Sequence, residues 1–171
     1  MALFGKDIKT LDDAFVHTLQ TIYYAEKQIT EALGKMIDKA SNTSLRQGFE
    51  THLEETRGQI ERLERVFEMH GADAEESKCP AIDGIIKAGD SMASESDDAQ
   101  VRDACLAASA QLVEHYEIAK YGTLVAWAQQ LGRQDCARVL EETLAEEKAT
   151  DEKLNKLAKG ELNKQAETAQ A

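Results

Sequence analysis

Carboxylates recur where the helical periodicity of this chain demands apolar side chains. Glu26 lies one turn from Ile22 and Ile29, inside an apolar stripe and not on the solvent face. Glu147 and Asp151 fall on the line of Leu140, Leu144, Leu154 and Ala158, and Glu114 and Glu117 interrupt a long apolar run. Glu55 sits at the edge of another stripe beside His52 and Gln59, while Glu54 points outward. Burying one unpaired carboxylate costs several kcal/mol, so repeated intrusions need a compensating charge. No lysine or arginine on these inner faces supplies it. A divalent cation would.

The elements that must position these acids are long helices. One proline in 171 residues, with 42% hydrophobic and 30% charged residues, describes a folded all-α chain. Thr10 starts a first helix, with Asp13 as its capping-box acid, and the apolar spacing continues to Ala40. Ser41-Asn42-Thr43-Ser44 supplies a turn and a new N-cap. The second helix follows to Gly71 and runs antiparallel to the first, because the connection is short. Residues 71–96 break the pattern, with room for one short helix near 81–88. A third helix begins after Ser96, with Asp97 and Asp98 in its first turn, and ends at Gly132. The fourth runs from about Arg133 to Ala158. The expected organisation is one domain over 1–160 and a polar, frayed tail over 161–171. An up-down bundle with its single long crossover between the second and third helices is the ferritin-like arrangement. The third helix is apolar on every side, so a second chain is expected to cover it, giving a homodimer.

Spacing adds to the metal argument. Glu26 and Glu55 stand 29 positions apart, Glu114 and Glu147 33 apart, so each pair joins two antiparallel helices at similar depth. Each second member has a further oxygen side chain four residues on, Gln59 or Asp151. Two such hairpins make a pseudo-symmetric site. Di-iron carboxylate bundles use one glutamate from each of two helices and a Glu-x-x-His pair from each of the others. Beside these acids, His52 reads as a core histidine, and His115 as a neighbour of two ligands. Tyr121 reads as core, with a hydroxyl able to hydrogen-bond a ligand carboxylate. Trp127 and the cysteines read as packing.

The stretches Tyr24-Ala25-Glu26-Lys27-Gln28, Arg62-Leu63-Glu64-Arg65-Val66-Phe67-Glu68 and Val113-Glu114-His115-Tyr116-Glu117-Ile118-Ala119-Lys120-Tyr121-Gly122 carry a family resemblance. They resemble the YciE/YciF ferritin-like family of bacterial stress-associated proteins, over about residues 3–160. Glu114-His115-Tyr116-Glu117 with Tyr121 is also similar to the third helix of rubrerythrin, where both glutamates serve an iron pair. The resemblance implies two metal ions, iron first, held by Glu26, Glu55, Glu114, Glu117 and Glu147, with Glu55 and Glu147 as bridges. It also shows a departure. Where related di-iron enzymes carry histidines, this chain has Gln59 and Asp151, a harder donor set that suits Mn²⁺ or Mg²⁺ nearly as well.

A formal charge of −12 excludes nucleic acid and anionic membrane as partners, since both repel an acidic surface. No signal-peptide pattern or transmembrane-length apolar run is evident, and Cys79, Cys105 and Cys136 form no metal or disulfide motif. The expected location is a reducing cytoplasm. Three functions fit: a stress-associated protein that sequesters or oxidises iron, a peroxide-handling enzyme of the rubrerythrin or manganese-catalase kind, and a metal-free structural helical dimer.

Overall fold

A computed structural model describes residues 8–169, and every regular element among them is helical. The first is α1 (Leu11–Lys39), opened by the expected capping box. The Asp13 amide donates to Thr10 Oγ1 at 3.0 Å, and the Thr10 amide donates back to Asp13 Oδ2 at 2.9 Å. The next, α2 (Thr43–His70), is capped by Asn42 and ends at Gly71. Gly71 has φ 79°, the left-handed conformation that lets the Gly71 and Ala72 amides fold back onto Phe67 O.

The crossover contains α3 (Pro80–Ser94), longer than the 81–88 the sequence suggests. Asp98 is the N-cap of α4 (Ala99–Gln130), accepting from the Gln100 and Val101 amides, and so stands just before the first turn. Gly132, at φ 73°, turns the chain into α5 (Gln134–Leu157). Of the segment expected to fray, 161–168 are helical, through a π-turn (Ala158–Leu162) and α6 (Asn163–Thr168), and 170–171 lie outside the described residues. Leu162 is fully buried one turn beyond Ala158, so the apolar stripe of α5 outlasts the polar composition around it.

Each of the four long helices packs against two others: α1 on α2 and α4, α5 on α2 and α4. Facing residues run in opposite order at these contacts. Along α2 the sequence Glu55, Gln59, Arg62 meets Thr150, Glu147, Thr143 of α5. Glu26 of α1 meets Tyr121, and Ser41 just past α1 meets Asp103 near the start of α4. Thus α2 and α4 point the same way, and the segment carrying α3 spans the length between them.

The apolar surround of α4 has an explanation within one chain. Besides α1 and α5, both α3 and the C-terminal helical segment pack on it. A Cβ at Gly89 of α3 would lie 2.8 Å from Ser109 Cβ, so glycine permits that close approach. One apolar strip of α4 stays open, centred on Leu112 at 54% exposure.

Asp103 ties the bundle end together. It is 2% exposed and accepts from the Ser41 amide at 2.8 Å, the Ser41 hydroxyl at 2.5 Å and the Asn42 amide at 2.8 Å. A buried carboxylate with three donors holds the α1–α2 turn against α4. Asp103→Ala leaves two part-buried amides and the Ser41 hydroxyl short of an acceptor, at a cost of about 3 kcal/mol. Thermal unfolding should show a drop on the order of 10 °C; an unchanged midpoint would mean the turn is held by other contacts.

Candidate metal centre

Heptad-like spacing builds the inner seam of α2 from His52, Thr56, Gln59 and Leu63, all buried. The seam of α5 is made in the same way from Leu140, Thr143, Glu147, Thr150 and Leu154. From α4, Glu114 and Glu117 stand three residues apart and face inward together. Ligand atoms of His52, Glu114, Glu117 and Glu147 all lie within 4.8 Å of one another, and none of the four side chains reaches solvent appreciably.

His52 Nε2 is 3.1 Å from Glu114 Oε1, close enough for an ion pair but poorly directed for a hydrogen bond. Both its ring nitrogens lack a hydrogen-bond partner among the described residues. So do both oxygens of Glu117 and one oxygen each of Glu26, Glu114 and Glu147. Buried polar atoms are almost always satisfied in folded proteins, and a cluster of exceptions needs an explanation.

The sequence-derived site residues divide into three groups. Glu114, Glu117 and Glu147 meet directly. Glu26 and Gln59, both fully buried, flank them: Glu26 Oε1 accepts from the Tyr121 hydroxyl, and Gln59 Nε2 donates to Glu147 Oε1 and, at 3.2 Å, to Glu146 Oε2. Arg62 in turn holds Glu146, donating through Nη1 at 2.7 Å. Glu55 and Asp151 are not drawn into the cluster. Glu55 Oε2 lies 3.7 Å from His52 Nδ1 and accepts weakly from Thr150 Oγ1 at 3.4 Å, while Asp151 Oδ1 lies 3.4 Å from both Gln111 Nε2 and His115 Nε2. His52, read from the sequence as plain core, is the donor that sequence reasoning missed. Its position in the α2 seam three residues before Glu55 was the available signal.

The electrostatics follow from burial and crowding. Burial pushes the Glu26 carboxyl up to about 7, against the opposing pull of the Tyr121 hydroxyl and His52. Burial, then repulsion from neighbouring carboxylates, holds Glu117 and Glu147 well above the usual range. For His52, burial disfavours the cation, but Glu114 and Glu55 outweigh it and raise the imidazole to about 10. Without a cation the cluster therefore retains protons at neutral pH.

The donor set fits a divalent ion. Metal–ligand distances of about 2.0–2.6 Å place donor atoms up to roughly twice that apart, as here. Three carboxylates and one imidazole, with spare lone pairs on each, suit iron or manganese and exclude a thiolate-type zinc site.

The chain is 49% identical to Protein YciF of Escherichia coli (strain K12) over 162 residues, which is 94% of this chain and 98% of that protein. A crystal structure of that E. coli stress protein superposes with TM-score 0.88, covering 92% of this chain and 99% of the other. YcfI from Rhodopseudomonas palustris, whose description suggests a structural protein, matches at 54% identity and TM-score 0.87, covering 90% of this chain and 98% of that one. A Xanthomonas campestris protein at 23% identity and TM-score 0.73, covering 94% and 99% of the two chains, shares the fold alone. The family described as "Domain of unknown function (DUF892)" matches residues 10–167, and the chain belongs to it.

Proposed function

We propose that the chain is a ferritin-like four-helix bundle that binds two divalent metal ions, iron first, and serves a cytoplasmic stress response as a homodimer. The observation that carries the metal reading is the set of four buried donors His52, Glu114, Glu117 and Glu147, converging from three helices with unsatisfied atoms aimed at one another. The parallel course of α2 and α4, joined by the long crossover, supports the ferritin-like arrangement. The stress assignment rests on the name of the E. coli relative. The dimer rests on the open strip of α4 around Leu112; sedimentation that finds only monomer at micromolar concentration removes that part. No helix among the described residues is long and apolar enough to cross a membrane.

Glu26, Glu114, Glu117, Glu147 and His52 form the ligand set in this reading, with Gln59 and Tyr121 orienting the carboxylates. Bound iron would supply oxidation chemistry; the chain's part is to exclude water, fix the carboxylates and give up protons as metal arrives. Elemental analysis of protein titrated anaerobically with iron(II), and in parallel with manganese(II), should give about two ions per chain. Protein that retains neither metal after desalting refutes the reading.

A further inference from the structure

A recess of about 420 Å³ opens between α2 and α5 and reaches one cluster residue, His52. Its walls include Leu45, Phe49, Leu154 and Leu157, and its polar lining includes His52, Glu55, Thr150 and Lys153. His52 has two faces: Nε2 lies against Glu114 inside, and Nδ1 looks toward Glu55 at 3.7 Å. The His52 side chain is only 3% exposed and both nitrogens lack hydrogen-bond partners, so the ring divides the recess from the cluster without being fixed to either. Glu55 is 27% exposed, one oxygen toward His52 and the other 3.9 Å from Lys153 Nζ. By contrast, Glu26, Gln59, Glu114, Glu117 and Glu147 are 0–1% exposed. The α2–α5 contact beyond Gln59 is closed by the Arg62–Glu146 pair.

We propose that this recess is the entry route for the divalent cation, with Glu55 and His52 Nδ1 forming a transit site at its floor. The inference rests on the metal-binding reading above. A carboxylate half in solvent and half against a buried ligand can receive a cation before the buried carboxylates do. The hydroxyl of Thr150, 3.4 Å from Glu55 Oε2, adds an oxygen at the same place. Lys153 is the charge that must leave. Its side chain is 64% exposed and its contact with Glu55 is long, so it holds the carboxylate weakly and a doubly charged ion displaces it. The assignment differs from a bridging role for Glu55: a transit residue sets how fast metal enters, a ligand sets how much stays.

Cobalt(II) uptake followed by stopped-flow absorbance, with cobalt per chain measured at equilibrium, separates these roles. Glu55→Gln keeps the shape and removes the charge; Lys153→Met removes the competing cation from an exposed position. The expected result is uptake slowed about tenfold in Glu55→Gln with unchanged final cobalt content, and several-fold faster uptake in Lys153→Met. Uptake by Glu55→Gln at the wild-type rate overturns the route, and so does a lower final cobalt content, which makes Glu55 a resident ligand. A wild-type chain that takes up no cobalt overturns the metal reading itself.

Discussion

Glu117→Gln should abolish tight metal binding and at the same time make the metal-free protein more stable. Glu117 is fully buried, with neither oxygen hydrogen-bonded, and carboxylates of Glu26, Glu114 and Glu147 crowd it. Burial and repulsion by these neighbours already force a proton onto it, which is a free-energy cost the fold bears for no structural return. An amide of the same shape removes the ionisable group. Relief of that protonation cost contributes about 2 kcal/mol, or about 5 °C in the unfolding midpoint. The same change takes away a donor at the cluster's centre, so metal affinity should fall at least a hundredfold, roughly the upper end of the loss seen when only an orienting partner is removed. Calorimetric unfolding of apo protein, paired with a metal titration, reads both effects. A merely structural glutamate gives the opposite pattern, lower stability and unaltered binding. Glu54→Ala serves as the control: it is 69% exposed and paired only with Arg57 one turn away, so neither quantity should move.

How much of this centre could be read from sequence depends on helix phase. The burial of Glu26, Glu114, Glu117 and Glu147 was legible because a carboxylate inside an apolar stripe violates the pattern. His52 carries no such signal, since a histidine in a stripe is ordinary core. The paired positions four residues apart were the weak point. Buried residues on α2 follow the seam His52, Thr56, Gln59, Leu63, and on α5 Leu140, Thr143, Glu147, Thr150, Leu154. At 100° per residue, Glu55 stands roughly 70° off the middle of the first seam and Asp151 roughly 60° off that of the second. Both are carried to the rim, and Thr150 takes the inner place next to Glu147. A seam that alternates steps of three and four is set by helix–helix packing, which a single-helix reading of the periodicity does not include.

The same limit applies to α4. Its apolarity on every side signals that most of its faces are covered, but sequence alone does not say by what. Beyond α1 and α5, the short helix α3 and the C-terminal segment cover α4, and the strip around Leu112 is what they leave. Helix ends were the most legible features, because Thr10 with Asp13, Gly71 and Gly132 act through contacts only a few residues long.

Metal-free protein should lose stability as pH rises from about 5 to about 8, and divalent metal should reverse the trend. The sign follows from which state holds more protons. In the folded chain Glu26 titrates near 7, and Glu117 and Glu147 well above their ordinary values, because burial and mutual repulsion disfavour the anions. Unfolded, all three ionise near the ordinary glutamate value. Between those limits the folded state binds more protons, so raising pH favours unfolding. His52 acts in the same direction at higher pH. Its stabilisation by Glu114 and Glu55 is fully present below the ordinary histidine value and is lost as pH climbs through about 10. Glu55 opposes below the window: His52 holds its carboxyl low, so its contribution is lost only when pH falls under the glutamate range. The apo maximum therefore lies near pH 5, with a loss on the order of a few kcal/mol by pH 8. Metal inverts the slope, because ligands that must shed protons bind more tightly as pH rises and the ions bind only the folded site. Thermal scans at pH 5 and 8, with and without manganese(II), give four midpoints. The crowded-carboxylate account of this centre requires the apo midpoint to fall and the metal-induced shift to grow; a rising apo midpoint would show that the cluster is ionised and compensated by something other than a metal.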